Sequence, residues 1–381
     1  MARSSFGGYE LIERIGRGGM AEVFRARVLG AAGFERPVAI KRILPRLAAD
    51  RSFVDMLVDE AKITVRLAHP NIVEVHHLGR AEGTVFLAME YVAGRDLRGV
   101  FDRERDREGA VPAALAIHIG MKICEALHHA HLACAPDGTP LQVIHRDISP
   151  QNVLLSWEGE VKVADFGLAR ARGRLVKTEA GVLKGKLAYL SPEQLLHVDI
   201  DHRVDVFALG VMLHELLAGR RLFLGRTDME TIHNIYRCEV PLLRTLNPDL
   251  PDGIDDVLRW ALSKRRDRRP ATAMDLHEEL EAVKRHAGLH AAAPDLRRYL
   301  CGLFPEAAPP ESWPPGAGSR PPPPLDLGKT FEDPPAPLGA ARAEADGRGP
   351  PPHDEVSQTH GHVEERATLV YPRRRDGTGE G

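Results

Sequence analysis

The chain has 381 residues, of which 43% are apolar, 28% charged and 5% aromatic, and its 51 basic side chains nearly balance 54 acidic ones. A formal net charge of −3 provides no cationic field of the kind that nucleic acid binding requires, so we expect no nucleic acid partner. The longest apolar stretch, residues 204–217, is interrupted by Asp205, His214 and Glu215, and residues 1–10 lack the apolar core of a secretory signal. We therefore expect no membrane span and a cytoplasmic location.

The first 90 residues are predicted to be mainly β-structure. Five segments are predicted to be strands, namely residues 9–15, 22–28, 37–44, 72–78 and 84–90. One amphipathic stretch interrupts them. In residues 53–67 the apolar side chains Phe53, Leu57 and Ala61 recur at close to helical spacing, which predicts a helix.

After residue 94 the pattern becomes mainly helical. Helices are predicted over residues 113–133, 205–217, 253–263 and 273–287. Between the first two, residues 134–140 contain Asp137-Gly138 flanked by prolines, which predicts a surface hairpin. The sequence thus predicts a β-rich lobe followed by an α-rich lobe, and a chain of this length is long enough for both.

The composition changes sharply near Phe304. Residues 305–381 hold 16 of the chain's 29 prolines and show almost no apolar periodicity. Such a segment buries too little apolar surface to offset the entropy lost on ordering, so we predict a mostly disordered tail. Its proline tracts and threonines are candidate contacts for a proline-reading or phosphate-reading partner, and an inert spacer is the alternative.

A glycine-rich segment, IGRGGMAEVFRA, occupies residues 15–26. A dinucleotide-binding turn would open a helix, but Val23 and Phe24 continue a strand-like run. A Walker loop would carry lysine directly after its last glycine, where this chain has Met20. A glycine hairpin that covers a nucleotide and an ordinary tight turn are the two interpretations that remain.

Further motifs follow the glycine segment in a fixed order. They are Val38-Ala39-Ile40-Lys41, Glu60 in the predicted helix, His69-Pro70-Asn71-Ile72-Val73, Met89-Glu90-Tyr91-Val92, His145-Arg146-Asp147 with Asn152, Asp165-Phe166-Gly167, Ser191-Pro192-Glu193, Asp205 with Gly210, and Arg269. From about Tyr9 to Ala287 this order resembles the Hanks-type serine/threonine protein kinases of the bacterial, eukaryotic-like group.

The resemblance implies an α+β, bilobal protein kinase fold. The small, mainly β N-lobe with one helix would span residues 9–92, and the larger α-helical C-lobe would span residues 93–287. A helical extension over residues 288–304 would precede the disordered proline-rich tail, residues 305–381.

The resemblance also implies a site for ATP and Mg²⁺, with Mn²⁺ as an alternative metal. Lys41 would contact the α- and β-phosphates and would be held by an ion pair with Glu60. Asp165 and Asn152 would supply oxygen ligands to the metal. Asp147 would orient the substrate hydroxyl and accept its proton.

The remaining nucleotide contacts follow from the same resemblance. The glycine loop would contribute Ile15, Gly16, Gly18 and Gly19, the adenine would lie between Val23, Ala39 and Leu154 with Met89 at the back, and the backbone of Glu90 and Val92 would pair with its edge. Two further motifs favour a protein substrate over a small molecule. Glu193 would pair with Arg269 beneath a peptide-docking surface, and Asp205 would hold the backbone of the catalytic loop.

The chain departs from the family pattern at two positions. The family usually has lysine two residues after the catalytic aspartate, where this chain has Ser149, and threonine at the position of Lys186. We predict that the Lys186 ammonium takes the place of the missing one beside Asp147, and an exposed Lys186 is the alternative.

The segment before Lys186 is a candidate for regulation. Between Gly167 and Ser191 the only hydroxyl side chains are Thr178 and Tyr189, among the basic residues Arg170, Arg172, Arg174, Lys177, Lys184 and Lys186. A phosphate on Thr178 would be drawn to Arg146, so we predict autophosphorylation at Thr178. The leading functional prediction is an ATP-dependent serine/threonine protein kinase. The alternatives are a pseudokinase that binds nucleotide as a scaffold and, less favoured, a small-molecule kinase.

Overall fold

The structure, a computed structural model, describes residues 4–29, 35–166, 186–196 and 198–309, apart from the side chains of Ser4, Leu29 and Glu60. Its N-terminal part contains the strands β1 Ser4–Phe6, β2 Tyr9–Arg17, β3 Ala21–Leu29, β4 Glu35–Ile43, β5 Val75–Ala81 and β6 Thr84–Glu90. They form one sheet in the order β1-β2-β3-β4-β6-β5, with every neighbouring pair antiparallel. The β-rich start of the chain is confirmed.

Two helices, α1 Pro45–Ala48 and α2 Arg51–Thr64, follow β4. The Asp50 carboxylate accepts a hydrogen bond from the Phe53 backbone N–H at 3.2 Å, and this N-cap starts α2 two residues before the first apolar side chain. The side chains of Phe53, Leu57 and Ala61 are buried in one apolar cluster with residues of β4 and β6. The predicted helix therefore packs its apolar face on the sheet, as amphipathic spacing requires.

The glycine-rich segment forms the hairpin that joins β2 to β3. Gly16 lies opposite Val23 in the ladder, and the Gly18 N–H donates to the Ala21 carbonyl at 2.9 Å. A shift of register between Arg14 and Gly16 bends β2 just before the turn. Both flanks are strands and no helix begins at the glycines, so the segment is a hairpin, and its position over a nucleotide stays a prediction.

The rest of the described chain is mainly helical. Its helices are α3 Leu97–Arg105, α4 Ala113–His131, α5 Pro192–Leu195, α6 Arg203–Ala218, α7 Asp228–Arg237, α8 Ile254–Ala261, α9 Ala273–His286 and α10 Ala293–Leu303. Three short strands, β7 Gly94–Asp96, β8 Val153–Ser156 and β9 Val161–Val163, form an antiparallel sheet in the order β7-β8-β9. A β-rich lobe followed by an α-rich lobe is the predicted architecture.

Helix α6 accounts for the longest apolar stretch of the sequence. Every residue from Val204 to Leu217 is buried, and the helix ends at Gly219, whose φ of 65° is readily adopted by glycine. A helix that is buried on all sides needs no polar face, so its high hydropathy reflects the core of the helical lobe. Within the described ranges no helix has the length and hydropathy needed to cross a bilayer.

The segment predicted to start a strand at Ile72 behaves differently. The Val73 N–H donates to the Val163 carbonyl at 2.9 Å, and the Val163 N–H donates to the Asn71 carbonyl at 2.8 Å. Residues 71–73 therefore pair with β9 instead of β6, and β5 begins only at Val75.

The last described residues extend past the predicted start of the tail. Helix α10 buries Leu296, Leu300 and Leu303 against the helical core. Residues 305–308 continue as a turn in which the N–H groups of Ala307 and Ala308 donate to the Phe304 carbonyl. The predicted disorder of residues 310–381 lies outside the described part of the chain.

Candidate active site

Lys41 and Asp165 form the ion pair at the centre of the cleft. Lys41 lies on β4 opposite Val23 of β3, and Asp165 follows β9 by two residues. The Lys41 Nζ atom lies 2.5 Å from Oδ1 of Asp165, and only 6% of the lysine is exposed. Burial alone would raise the pKa of Asp165, but the charge and the hydrogen bond of Lys41 hold this pKa below its usual value. Asp165 is therefore a carboxylate anion whose position in the cleft is fixed by Lys41.

The catalytic loop, residues 145–152, is held by a carboxylate from α6. Asp205 accepts hydrogen bonds from the backbone N–H of His145 at 2.8 Å and of Arg146 at 2.7 Å, and from His131 Nε2 at 2.9 Å. Burial raises the pKa of Asp205, but His131 and the N–H of His145 lower it by a larger amount. The pKa of Asp205 is therefore below its usual value, and the carboxylate is ionised. Asp205 therefore fixes the loop backbone, as the sequence predicted, and the contact from His131 is an addition.

His145 links the catalytic loop to the segment after β9. Its Nδ1 accepts from the Asp147 N–H at 3.3 Å, so Nε2 carries the proton and donates to the Ala164 carbonyl at 2.9 Å. Burial lowers the pKa of His145, which keeps the ring in this neutral form. Its ring also packs edge-on against Phe166, at 4.6 Å between centroids.

The β8–β9 hairpin brings Asn152 and Asp165 together. Val153 pairs with Val163, and the Ala164 N–H donates to the Asn152 carbonyl at 2.8 Å. The residues just outside this hairpin, Asn152 before it and Asp165 after it, are therefore held side by side. The loop that carries Asp147 ends at the same place.

Asp147 is contacted from two sides. Asn152 Nδ2 donates to the Asp147 carbonyl at 2.7 Å and to Oδ2 at 3.0 Å. The Lys186 ammonium donates to the same Oδ2 at 2.7 Å. The structure thus places Lys186 beside Asp147 at the distance of an ion pair, where the sequence analysis placed it.

The donor chemistry of this cleft fits Mg²⁺. Asp165 offers a carboxylate, and Asn152 offers an amide oxygen, because its Nδ2 is the atom bonded to Asp147. Mg²⁺ prefers such oxygen ligands and is commonly held by one or two carboxylates together with substrate phosphates. Among the described residues no cluster of three or more histidine, cysteine or acidic side chains forms a separate metal site.

An apolar cluster lies beside the ion pair at the predicted adenine position. Ala39 pairs with Met89 across β4 and β6, and both are buried. Val23, Val92 and Leu154 pack against the same cluster. The structure therefore brings together the predicted adenine contacts from both lobes.

The other predicted nucleotide contacts lie at the edge of this cluster. Ile15 is 47% exposed and precedes the glycine hairpin that carries Gly16, Gly18 and Gly19. The Glu90 N–H donates to the Glu74 carbonyl at 2.9 Å, and the pairing of the Glu90 and Val92 backbone with an adenine edge stays a prediction. The Glu90 side chain pairs with the buried Lys162 at 2.9 Å, a contact that the sequence did not indicate.

Three predicted residues are only partly described or lie outside the described ranges. The backbone of Glu60 lies in α2, but its side chain is not described, so its pairing with Lys41 stays a prediction. Gly167 and Thr178 fall within residues 167–185, which lie outside the described part of the chain.

Glu193 and Arg269 form a buried, bidentate pair. Arg269 Nη1 lies 2.5 Å from Glu193 Oε1, and Nη2 lies 2.8 Å from Oε2. In a second buried group, the Tyr189 hydroxyl donates to Glu215 at 2.7 Å, and Arg221 lies 3.2 Å from the same carboxylate. The sequence predicted the first pair. It missed the second, because Glu215 and Arg221 belong to no motif that was considered.

Comparison with known proteins agrees with this geometry. The protein kinase domain family matches residues 9–280. Tyrosine-protein kinase MasK of Myxococcus xanthus is 41% identical over 302 residues, which cover 79% of this chain and 47% of that protein. Serine/threonine-protein kinase PrkC of Bacillus subtilis is 32% identical over 277 residues, which cover 73% of this chain and 40% of that protein.

Solved structures show the same fold. The PknI kinase domain of Mycobacterium tuberculosis matches with a TM-score of 0.55 and 28% identity, over 74% of this chain and 98% of that one. The chain spans less than half the length of the two curated relatives above. With the family match and the predicted bilobal fold, these findings show that the chain belongs to the protein kinase domain family, in its bacterial Hanks-type group.

Proposed function

We propose that this chain is an ATP-dependent protein kinase that transfers the γ-phosphoryl group to serine and threonine hydroxyls of proteins. One observation carries the proposal. The ion pair of Lys41 and Asp165 and the hydrogen-bonded pair of Asp147 and Asn152 lie in one cleft beside an apolar cluster. A nucleotide-binding scaffold has no need of an aspartate such as Asp147, held by Asn152 in the catalytic loop, so the set favours catalysis over the pseudokinase alternative.

The chain's own residues account for the transfer step. The P–O bond between the β- and γ-phosphates breaks, a P–O bond to the acceptor oxygen forms, and ADP leaves with the electron pair. Asp147 accepts the hydroxyl proton, and Asn152 orients its carboxylate through the contact at Oδ2. Lys41 contacts the α- and β-phosphates, and the ion pair with Asp165 fixes its ammonium.

Asp165 and Asn152 would hold Mg²⁺, with Mn²⁺ as an alternative. When bound, the metal neutralises charge on the phosphate oxygens. The adenine would lie among Val23, Ala39 and Leu154. Ile15, Gly16, Gly18 and Gly19 would cover the phosphates, with Met89 and the backbone of Glu90 and Val92 around the base.

Protein acceptors are favoured by the packing below the cleft. The Glu193–Arg269 pair ties α5, which follows residues 187–191, to the segment between α8 and α9. The pair therefore gives residues 187–191 a rigid support. A peptide substrate would dock on the surface that these residues form beside Asp147. The partners we propose are therefore protein substrates, and a proline- or phosphate-reading partner of residues 305–381 belongs to the same proposal.

The acceptor side chain has two candidates. PrkC is named a serine/threonine-protein kinase, whereas MasK is named a tyrosine-protein kinase and is the more similar of the two. We favour serine and threonine, because the resemblance on which the site rests is to kinases of that class. Tyrosine phosphorylation is the second candidate, and Thr178 is the proposed autophosphorylation site in the first.

A phosphotransfer assay tests the proposal. The purified 381-residue chain is incubated with labelled ATP, Mg²⁺ and casein, beside an Asp147→Asn variant and a sample with EDTA. We expect label in the wild type, at least about 100-fold less in Asp147→Asn, and none with EDTA. Acid hydrolysis of the product separates phosphoserine and phosphothreonine from phosphotyrosine, and mass spectrometry locates any phosphate on Thr178. A wild type that binds ATP but transfers no label would contradict the proposal and favour a pseudokinase.

A further inference from the structure

The contact between Lys186 and Asp147 joins two distant parts of the chain. Lys186 follows residues 167–185 and directly precedes the short helical turn Leu187–Tyr189, which is buried. Its Nζ lies 2.7 Å from Asp147 Oδ2, and the side chain of Lys186 is 31% exposed. The backbone that follows Lys186 is therefore anchored, while its side chain remains partly exposed.

Each of the two carboxylates of the site has an ammonium beside it. Lys186 Nζ lies 2.7 Å from Asp147 Oδ2, and Lys41 Nζ lies 2.5 Å from Asp165 Oδ1. The proposed function puts the transferred group between Asp147 and Asp165, so both ammonium groups are close to it.

After Asp147 the catalytic loop offers no such cation. From Asp147 to Ser156 the sequence contains neither lysine nor arginine. Ser149 is 1% exposed, and its Oγ has no hydrogen-bond partner among the described residues. A buried neutral hydroxyl at this position provides no positive charge to a phosphoryl group.

We propose that Lys186 is a catalytic residue whose ammonium contacts the γ-phosphoryl group during transfer. This inference rests on the proposed function and adds the source of the cation. An ammonium is a multiple N–H donor, and that of Lys186 already lies 2.7 Å from Asp147 Oδ2. During the transfer it donates to phosphoryl oxygens as negative charge shifts onto them. The cation is supplied by Lys186, which directly precedes the turn Leu187–Tyr189. The position of the ammonium therefore depends on the conformation of this turn.

An exchange of side chains tests this assignment. Lys186→Met removes the charge and keeps a long side chain, Lys186→Thr shortens it, and Ser149→Lys combined with Lys186→Thr returns an ammonium from the catalytic loop. We expect kcat to fall about 100-fold in Lys186→Met and Lys186→Thr. The affinity for Mg-ATP, measured by calorimetry, should change less than about threefold. The combined variant should recover at least tenfold over Lys186→Thr.

The controls separate chemistry from folding and from the function itself. Lys264→Met removes an exposed lysine of the same lobe and should leave kcat unchanged. Urea unfolding of each variant reports whether it is folded, and the combined variant tests the charge even where Lys186→Met is unstable. Equal or faster turnover in folded Lys186→Met, with an active wild type, would overturn this inference and leave the kinase proposal standing. An inactive wild type would overturn both.

Discussion

Asp205 is the residue whose single carboxylate holds the start of the catalytic loop. It accepts hydrogen bonds from the backbone N–H groups of His145 and Arg146 and from the His131 side chain. Arg146 has a φ of 63°, a left-handed conformation that costs free energy for a residue other than glycine. The hydrogen bond from its N–H to Asp205 holds this conformation, and the next residue is the proposed base, Asp147.

Replacing Asp205 with asparagine should destabilise the protein by about 3 kcal/mol. The amide puts an NH₂ group where an oxygen now accepts a backbone N–H, so a buried donor loses its acceptor. Urea unfolding measures the change, and Asp249→Asn, at an exposed aspartate, should shift stability by less than about 0.5 kcal/mol. A free energy of unfolding for Asp205→Asn within that margin of the wild type would contradict the assigned role.

Individual side-chain contacts could be predicted only where both residues of the contact belong to recognisable sequence motifs. The Glu193–Arg269 pair and the Lys186–Asp147 contact were predicted across 76 and 39 residues of sequence. The contact between His131 and Asp205 was not, because a histidine in a helix carries no sequence signal of a partner 74 residues away.

At the scale of elements, periodicity located the segments and local caps set their ends. The strand predicted over residues 84–90 is β6 itself, whereas α2 starts two residues before the predicted helix because of the Asp50 cap. The start of β5 was displaced because residues 71–73 pair with β9, and competition between two sheets is a tertiary effect that one segment's sequence does not reveal.

Arg269 joins separate elements through all of its donors. Nε bonds the Ser263 carbonyl, and Nη1 and Nη2 bond the Arg203 and Lys264 carbonyls in addition to both oxygens of Glu193. These five contacts match the five N–H groups of a guanidinium. They tie α5 to the start of α6 and to the segment between α8 and α9.

Arg269→Lys should therefore be costly even though it keeps the charge. A lysine has three donors in a different arrangement, so some carbonyls and one carboxylate oxygen lose their partners, and we expect a loss of about 3 kcal/mol. Chemical unfolding measures it, with the exposed Arg298→Lys as the matched control. Equal unfolding midpoints for the two variants would show that the bidentate geometry contributes little.

For the whole molecule, histidines that are wholly or partly withdrawn from solvent link stability to pH. Among the described residues, burial is the leading cause of a lowered pKa at His69, His76, His77, His118, His128, His145 and His214. Near and below pH 6.5 these rings take up protons more readily in the unfolded chain than in the folded chain. The unfolded state then binds more protons, so stability must fall as the pH falls below that value.

His214 gives the clearest test of this linkage. Its Nε2 faces the Pro241 carbonyl at 3.1 Å and must carry the proton, while Nδ1 has no hydrogen-bond partner among the described residues. Protonation would add a charge and a buried donor at Nδ1 without an acceptor. Between pH 6.5 and 5.5 this one histidine should cost about 1 kcal/mol of stability.

The measurement is urea unfolding at pH 7.5, 6.5 and 5.5 for the wild type and for His214→Gln. The glutamine amide can still donate to the Pro241 carbonyl but does not titrate, so the variant should lose about 1 kcal/mol less than the wild type between pH 6.5 and 5.5. His233→Gln, at an exposed histidine, should keep the wild-type slope. If His214→Gln loses as much stability as the wild type over that range, then acid sensitivity arises elsewhere, and the buried His214 ring is protonated without penalty.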